Sequence, residues 1–448
     1  MPFKFAKNAK WLFLLGLGSG LRVHLIGLIS LGELVTFILA PLLYLNHRRE
    51  FKEAGFGTFF LLIFLLIIGT FASSVYNHTW LFASLKQCAV WYSIFSFSVV
   101  LFLLLKDDFR GLGWLALGLF VASIVIIWAF NPTLYVDQSV GTVDIGNQTA
   151  EEVVSGVRFW NTRITSLLRL PVVCASFLQL PIAYPLMALP FSAFLSFFLS
   201  VSGRSDGLIS LFAAFLIAFV GKSRKRMMIL GRHMVVFVLS LVALAAVAKS
   251  AYKYAATNGM LGRSALEKYH KQTSGGDSML RLLMGGRSEF FIGIRALLDH
   301  PIMGFGCQAQ DTKGYWAEFL YKYGEIEDYQ LYMRLTRRNE SIGFMPQIPV
   351  HAYLVSFWGY AGIIGLVFCI YIIYLVYLFF RRYACTVPQW YGYFACSIPA
   401  LMWGMFFSPY GHGIESPLLF TCLIMVKAVG DGKLIMPRDM GMEALRYV

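Results

Sequence analysis

Apolar residues run along this chain in stretches sized for a lipid bilayer, not in the one-faced patterns of a soluble core. A spanning helix needs about 20 mostly apolar residues. With their flanks, the segments 58–75, 83–105, 112–131, 167–184, 187–201, 207–221, 233–249, 352–380, 388–408 and 414–428 fit that requirement with few charges. The run from Trp11 to Leu45 is too long for one helix and is interrupted by Arg22 and His24, which predicts two spans there. Pro185 separates two more, although a proline can also kink a span without ending it. The pattern predicts an all-α, polytopic integral membrane protein with about twelve transmembrane helices.

One long stretch breaks the rhythm. Residues 250–350 carry acids and bases in similar numbers, together with Tyr315, Trp316, Phe319, Tyr321, Tyr323, Tyr329 and Tyr332. Mixed charge with many aromatics predicts a folded, helical loop and not a disordered linker. Such aromatics either anchor the loop at the membrane surface or stack on sugar rings. The chain therefore divides into a first group of transmembrane helices (1–249), a large outer loop (250–350), and the last helices with a short tail (351–448).

Composition supports this division. Of 448 residues, 58% are hydrophobic and only 14% charged, whereas soluble domains carry about a quarter charged residues. A soluble protein is thereby excluded. The formal net charge of +14 raises the question of a nucleic-acid partner. The basic residues, however, cluster in short breaks between apolar runs: Lys4, Lys7 and Lys10; Arg48, Arg49 and Lys52; Lys106 and Arg110; Lys222, Arg224, Lys225, Arg226 and Arg232; Arg381 and Arg382. Cytoplasmic loops of membrane proteins collect such residues. With the N-terminus in the cytoplasm, alternation puts all these clusters inside and residues 132–166, the turn near Arg204 and residues 250–350 outside. Membrane lipids are then the expected surroundings, and no nucleic acid is expected. Six of the seven cysteines lie in or beside apolar spans, where they pack as small hydrophobes. Only Cys307 falls in the polar stretch, so no disulfide framework is expected. The first apolar run lacks a small-residue cleavage site and is expected to remain as a span.

Three residues on the outer side form a candidate chemical kit. Arg204 lies in a turn beside Asp206, Arg287 lies in Gly286-Arg287-Ser288-Glu289, and His351 opens the long span after the loop. Each has a plainer role when taken singly: a turn charge, a surface arginine, a helix-start histidine. Together, two planar guanidinium forks suit pyrophosphate oxygens, and an imidazole exchanges a proton near neutral pH. No metal-binding or nucleotide-binding pattern competes with this reading.

The stretch His351-Ala-Tyr-Leu-Val-Ser-Phe-Trp-Gly-Tyr-Ala-Gly362-Ile-Ile-Gly365 resembles the histidine signature of the bacterial O-antigen ligase and polymerase superfamily. The preceding Gly286-Arg287…Pro301-Ile-Met-Gly304-Phe-Gly306 resembles that family's outer-loop motif, and Arg204 its arginine at the outer end of a middle span. Ala352 and Gly203 depart from the family pattern, which usually has a small polar residue and a serine there. The resemblance implies an inner-membrane, metal-independent, inverting glycosyltransferase needing no cofactor, with 250–350 a periplasmic loop. Its donor would be a glycan on undecaprenyl pyrophosphate, and its acceptor a sugar hydroxyl on lipid A core or, for a polymerase, on a lipid-linked repeat unit. Arg204, Arg287 and His351 would be catalytic, with Arg163 and Arg295 as secondary substrate contacts. A transporter or flippase of lipid-linked glycan is the alternative from another class. It would be expected to show internal repeats and charges at the midplane, and the sequence shows neither.

Overall fold

The computed structural model describes residues 8–24, 28–109, 111–129, 253–255, 257–258, 288–322, 347–383, 390–407, 410 and 414–434. They are mostly helical. The elements are α1 (Ala9–Gly20), β1 (Arg22–His24), β2 (Leu28–Ser30), α2 (Leu31–Asn46), α3 (Arg48–Glu53), α4 (Gly57–Tyr76), α5 (Leu81–Leu105) and α6 (Gly111–Ala129). They continue as α7 (Ser288–Asp299), α8 (Tyr315–Lys322), α9 (Tyr353–Ala361), α10 (Ile363–Leu378) with a π-helical turn over Phe379–Tyr383, α11 (Tyr391–Phe407) and α12 (Glu415–Gly430).

The long opening run does divide in two, and the break at Arg22 and His24 is a small antiparallel hairpin pairing β1 with β2. It ends at Ser30, whose hydroxyl accepts from the Glu33 backbone N–H (3.1 Å) while the Glu33 carboxylate accepts from the Ser30 N–H (2.7 Å). This reciprocal capping box starts α2 cleanly. The apolar segments at 167–184, 187–201, 207–221 and 233–249 lie outside the described residues.

Among the described residues, three helices are long and apolar enough to cross a membrane: α4, α5, and α10 with its π turn. They point to a membrane protein. α5 packs on α2, α4 and α12 and buries Trp91, Phe97, Val99, Leu101 and Phe102. α4 shows its outer face instead. Leu61, Phe64, Ile68, Phe71 and Val75 are exposed at three- and four-residue spacing, which puts them on one side of the helix. Ile363, Val367, Ile370 and Tyr374 repeat the arrangement on α10. Soluble monomers rarely leave apolar stripes of this length in water; lipid is the solvent that suits them.

The helices are registered by aromatic packing. Phe59 stacks on Phe368 (6.1 Å between centroids), and Gly69 lies against the Ala361 carbonyl, so α4 and α10 run antiparallel. Glu50 binds the Lys106 ammonium and lies 2.8 Å from His47 Nδ1. The Tyr383 hydroxyl binds Asp431, which also pairs with Lys427 at 2.9 Å. The basic groups at 48–52, 106, 381–382 and 427 therefore gather at one end of the bundle. At the other end sits a small polar cap made by α7, α8 and the segments around them. Its own core is Ile292, Ala296, Leu297, Phe305, Ala309, Tyr315, Phe319, Ile348, Ala352 and Val355.

The span read from the sequence as 352–380 is not one helix. Gly362 has φ +63° and ψ −150°, a conformation essentially confined to glycine, and it separates α9 from α10. In a continuous helix the Ile363 N–H would bond the Gly359 carbonyl. Here it donates to Ile302 O (2.8 Å), and the Gly359 carbonyl accepts from the N–H groups of Phe305 (2.9 Å) and Gly306 (3.0 Å). The loop 302–306 thus takes over both groups that the break releases. Gly304, at φ +71°, allows the loop to lie directly on the Gly359 backbone, where a Cβ would collide. Asn77 Nδ2 holds Gly304 O at 3.1 Å, and Ser74 Oγ accepts from the Cys307 N–H at 3.3 Å, tying the loop to the end of α4.

Candidate functional site

His351 lies two residues before α9, on a segment fixed from several sides. The Ile348 N–H donates to Ala309 O (2.9 Å), within a short antiparallel bridge between Gln310 and Gln347. The Ser356 hydroxyl donates to Val350 O at 2.9 Å. Ala352, fully buried and extended, is the first residue of the helix cap. A small apolar residue suits that position, because its side chain packs in the core of the cap.

α7 crosses immediately over this segment. Gly293 lets it come close: a Cβ there would fall 2.6 Å from Val355 Cγ1 and 2.8 Å from Pro349 O. The approach brings Glu289, in the first turn of α7, to His351. Glu289 Oε2 lies 2.9 Å from His351 Nδ1, with both side chains about 40% exposed (40% and 41%). Nδ1 itself is shielded from solvent and has no aligned hydrogen-bond partner. The two atoms are therefore close but off the hydrogen-bond line. Loose alignment of this kind is common before substrate binds. Sequence reasoning missed Glu289. The only available signal was its position two residues after Arg287, and nothing in the sequence linked it to a histidine 62 positions later.

The aromatic surroundings come from other elements. The Tyr353 ring lies over Gly404 of α11 and makes an edge contact with Tyr410 (4.9 Å); its hydroxyl is 3.5 Å from Ser416 Oγ at the start of α12. Phe290 meets Phe406 at 6.3 Å. Below them Trp91 stacks on Phe357 at 4.4 Å and donates its indole N–H to Thr70 Oγ1 at 2.8 Å.

Arg295 faces away from this group, toward α8. Its guanidinium contacts Asp299 (2.7 Å) and Glu318 (3.6 Å) and lies over the Tyr315 ring. Any phosphate would compete with two carboxylates for it. Asp299 also accepts from the Tyr315 hydroxyl at 2.9 Å, and these two hydrogen bonds hold its carboxyl below the usual range. Tyr315 is buried in the cap core, so its ring serves neither membrane anchoring nor sugar stacking. Asp311 is buried as well. Its oxygens accept from the backbone N–H groups of Tyr315 and Trp316, each at 2.8 Å, and burial raises its pKa against the pull of those donors. Among the residues singled out from the sequence, Arg204, Arg287 and Arg163 lie outside the described residues.

Comparison with protein-family models gives no match, and comparison with curated proteins gives none either.

Proposed function

We propose that this chain is a membrane glycosyltransferase of the O-antigen ligase type, acting at the periplasmic face of the inner membrane. It would transfer a glycan from undecaprenyl pyrophosphate to a sugar hydroxyl. The observation that supports the reading is the contact of His351 with Glu289, at the end of the bundle opposite the basic residues. A carboxylate at Nδ1 orients an imidazole and leaves Nε2 to take a proton from a hydroxyl, the same division of labour as in other histidine–carboxylate pairs. The charge bias of the other end agrees with a cytoplasmic side there, which leaves the cap in the periplasm.

In this scheme the acceptor hydroxyl gives its proton to His351 Nε2 as its oxygen attacks the anomeric carbon. The bond from that carbon to the pyrophosphate oxygen breaks, and the electron pair leaves with the pyrophosphate. Arg204 and Arg287 bind the donor and stabilise that charge. The new glycosidic bond has inverted configuration.

The test uses purified protein, a lipid-pyrophosphate glycan and two acceptors, lipid A core and a lipid-linked repeat unit. Donor binding and transfer are measured separately. His351→Ala is expected to bind donor and fail in transfer. Transfer to core supports a ligase, and transfer to the repeat unit a polymerase. Movement of the lipid-linked glycan between leaflets without a new glycosidic bond would establish transport and refute the proposal.

A further inference from the structure

α7 has three faces. Ile292, Gly293, Ala296 and Leu297 enter the core of the cap, and Arg295 and Asp299 face α8. The third face carries Phe291, Ile294 and Leu298, spaced three and four residues apart. Phe291 and Ile294 are half-buried and pack against the core of the cap, whereas Leu298 is 63% exposed. Four residues later Ile302 is 69% exposed. These are large apolar side chains on a part of the molecule that reads as water-soluble.

Their position explains them. Ile302 is joined to the first residue of α10 through the hydrogen bond from Ile363 N–H to Ile302 O. Ile363 begins the exposed apolar stripe that continues down α10 through Val367 and Ile370. The cap's apolar face is thus an extension of the face that α10 turns outward. Trp358 lies at the junction and donates its indole N–H to Pro301 O at 2.8 Å, and tryptophan favours the boundary between headgroups and acyl chains. The charged groups of α7 and its neighbours, Arg295, Asp299, Lys313 and Glu318, bind one another on the side toward α8.

We propose that α7 lies in the membrane surface, with Leu298 and Ile302 inserted among the acyl chains of the leaflet on the side of the cap. Amphipathic helices of this kind sink about 5–10 Å into the boundary region. The cap is then a membrane-seated element, held at a fixed depth by lipid as well as by the bundle. The inference rests on the apolar stripe of α10 facing lipid and does not depend on the enzymatic reading.

Full-length protein in nanodiscs tests it. A bimane label is attached to Leu298→Cys, Ile302→Cys and, as a control on the charged side, Glu318→Cys, with wild-type protein labelled in parallel to subtract native cysteines. Lipids brominated high on the acyl chain are expected to quench positions 298 and 302 several-fold more than position 318. Equal quenching at all three overturns the proposal. A photoreactive benzoylphenylalanine at position 302 gives a second readout that needs no cysteine chemistry. Adducts of lipid mass support insertion, whereas crosslinks between two copies of the chain overturn it in favour of a protein contact.

Discussion

Replacing Gly362 with alanine attacks the joint between α9 and α10 at a glycine-specific torsion. At φ +63° and ψ −150° a side chain costs about 1–3 kcal/mol in backbone strain. The added Cβ would also collide with Ile302 O and come within 3.0 Å of the Met303 backbone. The chain has two responses. It can keep the break and carry the strain. Alternatively it can straighten, returning the Gly359 carbonyl to the Ile363 N–H and leaving the N–H groups of Phe305 and Gly306 without their acceptor. Two lost hydrogen bonds of about 0.5–1.5 kcal/mol each give a cost similar to that of the strained route. Thermal unfolding of the purified protein in detergent reads the cost, with Gly57→Ala as control, since a Cβ at Gly57 meets nothing. Gly362→Ala is expected to melt several degrees lower and to expose the 302–306 loop to protease, while Gly57→Ala is unchanged or slightly more stable. Equal melting of the two variants, with the loop still protected, would refute the idea that the joint holds cap and bundle together.

Other predictions address the cap and the proposed site. Arg287→Lys should bind donor more weakly and lose about tenfold or more in transfer, because lysine keeps the charge but not the two-pronged match to phosphate; unchanged kinetics would remove Arg287 from the mechanism. Glu289→Gln should lower the turnover of transfer without changing donor affinity, and should have no further effect in a His351→Ala background; additive losses would show that the two residues act separately. Asp311→Ala should destabilise the cap by about 0.5–2 kcal/mol, the usual cost of losing a helix cap, with Asp311→Asn intermediate in the same thermal assay. Asp299 has a folded-state pKa below its unfolded value, so its contribution to stability is present above the ordinary aspartate range and is lost as pH falls through the depressed value. Asp299→Asn should flatten that acid-side part of the stability profile, which thermal melts across pH would detect.

α4 and α5 were legible because lipid-sized apolar runs need no tertiary context. The sequence reading at 58–75 corresponds to α4 at Gly57–Tyr76, and that at 83–105 to α5 at Leu81–Leu105. The break at Gly362 was not legible. Glycine is tolerated inside membrane helices, and what turns this one into a break is a loop some 60 residues upstream that accepts the freed hydrogen bonds. For the same reason the two glycine-bearing motifs, 301–306 and 351–365, read as separate signatures although they form one joint. The ion pair between Arg295 and Asp299 was open to inference from its four-residue spacing. The aromatic content of the 250–350 segment was misleading at Tyr315, because composition does not distinguish a ring in a small core from a ring at a surface. Of the proposed site, the sequence named His351 but not Glu289, whose role depends on how closely Gly293 lets α7 approach.

The exchange of hydrogen bonds at Gly359 also bears on biosynthesis. Residues 302–306 leave the ribosome well before residues 359–363, so the acceptor and donors that complete the joint already exist when the second half of the broken helix emerges. Bare backbone groups are costly in hydrocarbon, and α9 and α10 can settle as a broken pair only once the earlier loop has docked. The cap and the start of α10 are therefore joined by shared backbone hydrogen bonds. A chain lacking residues 302–306 would have to straighten at Gly362 or leave the Ile363 N–H and the Gly359 carbonyl without these partners.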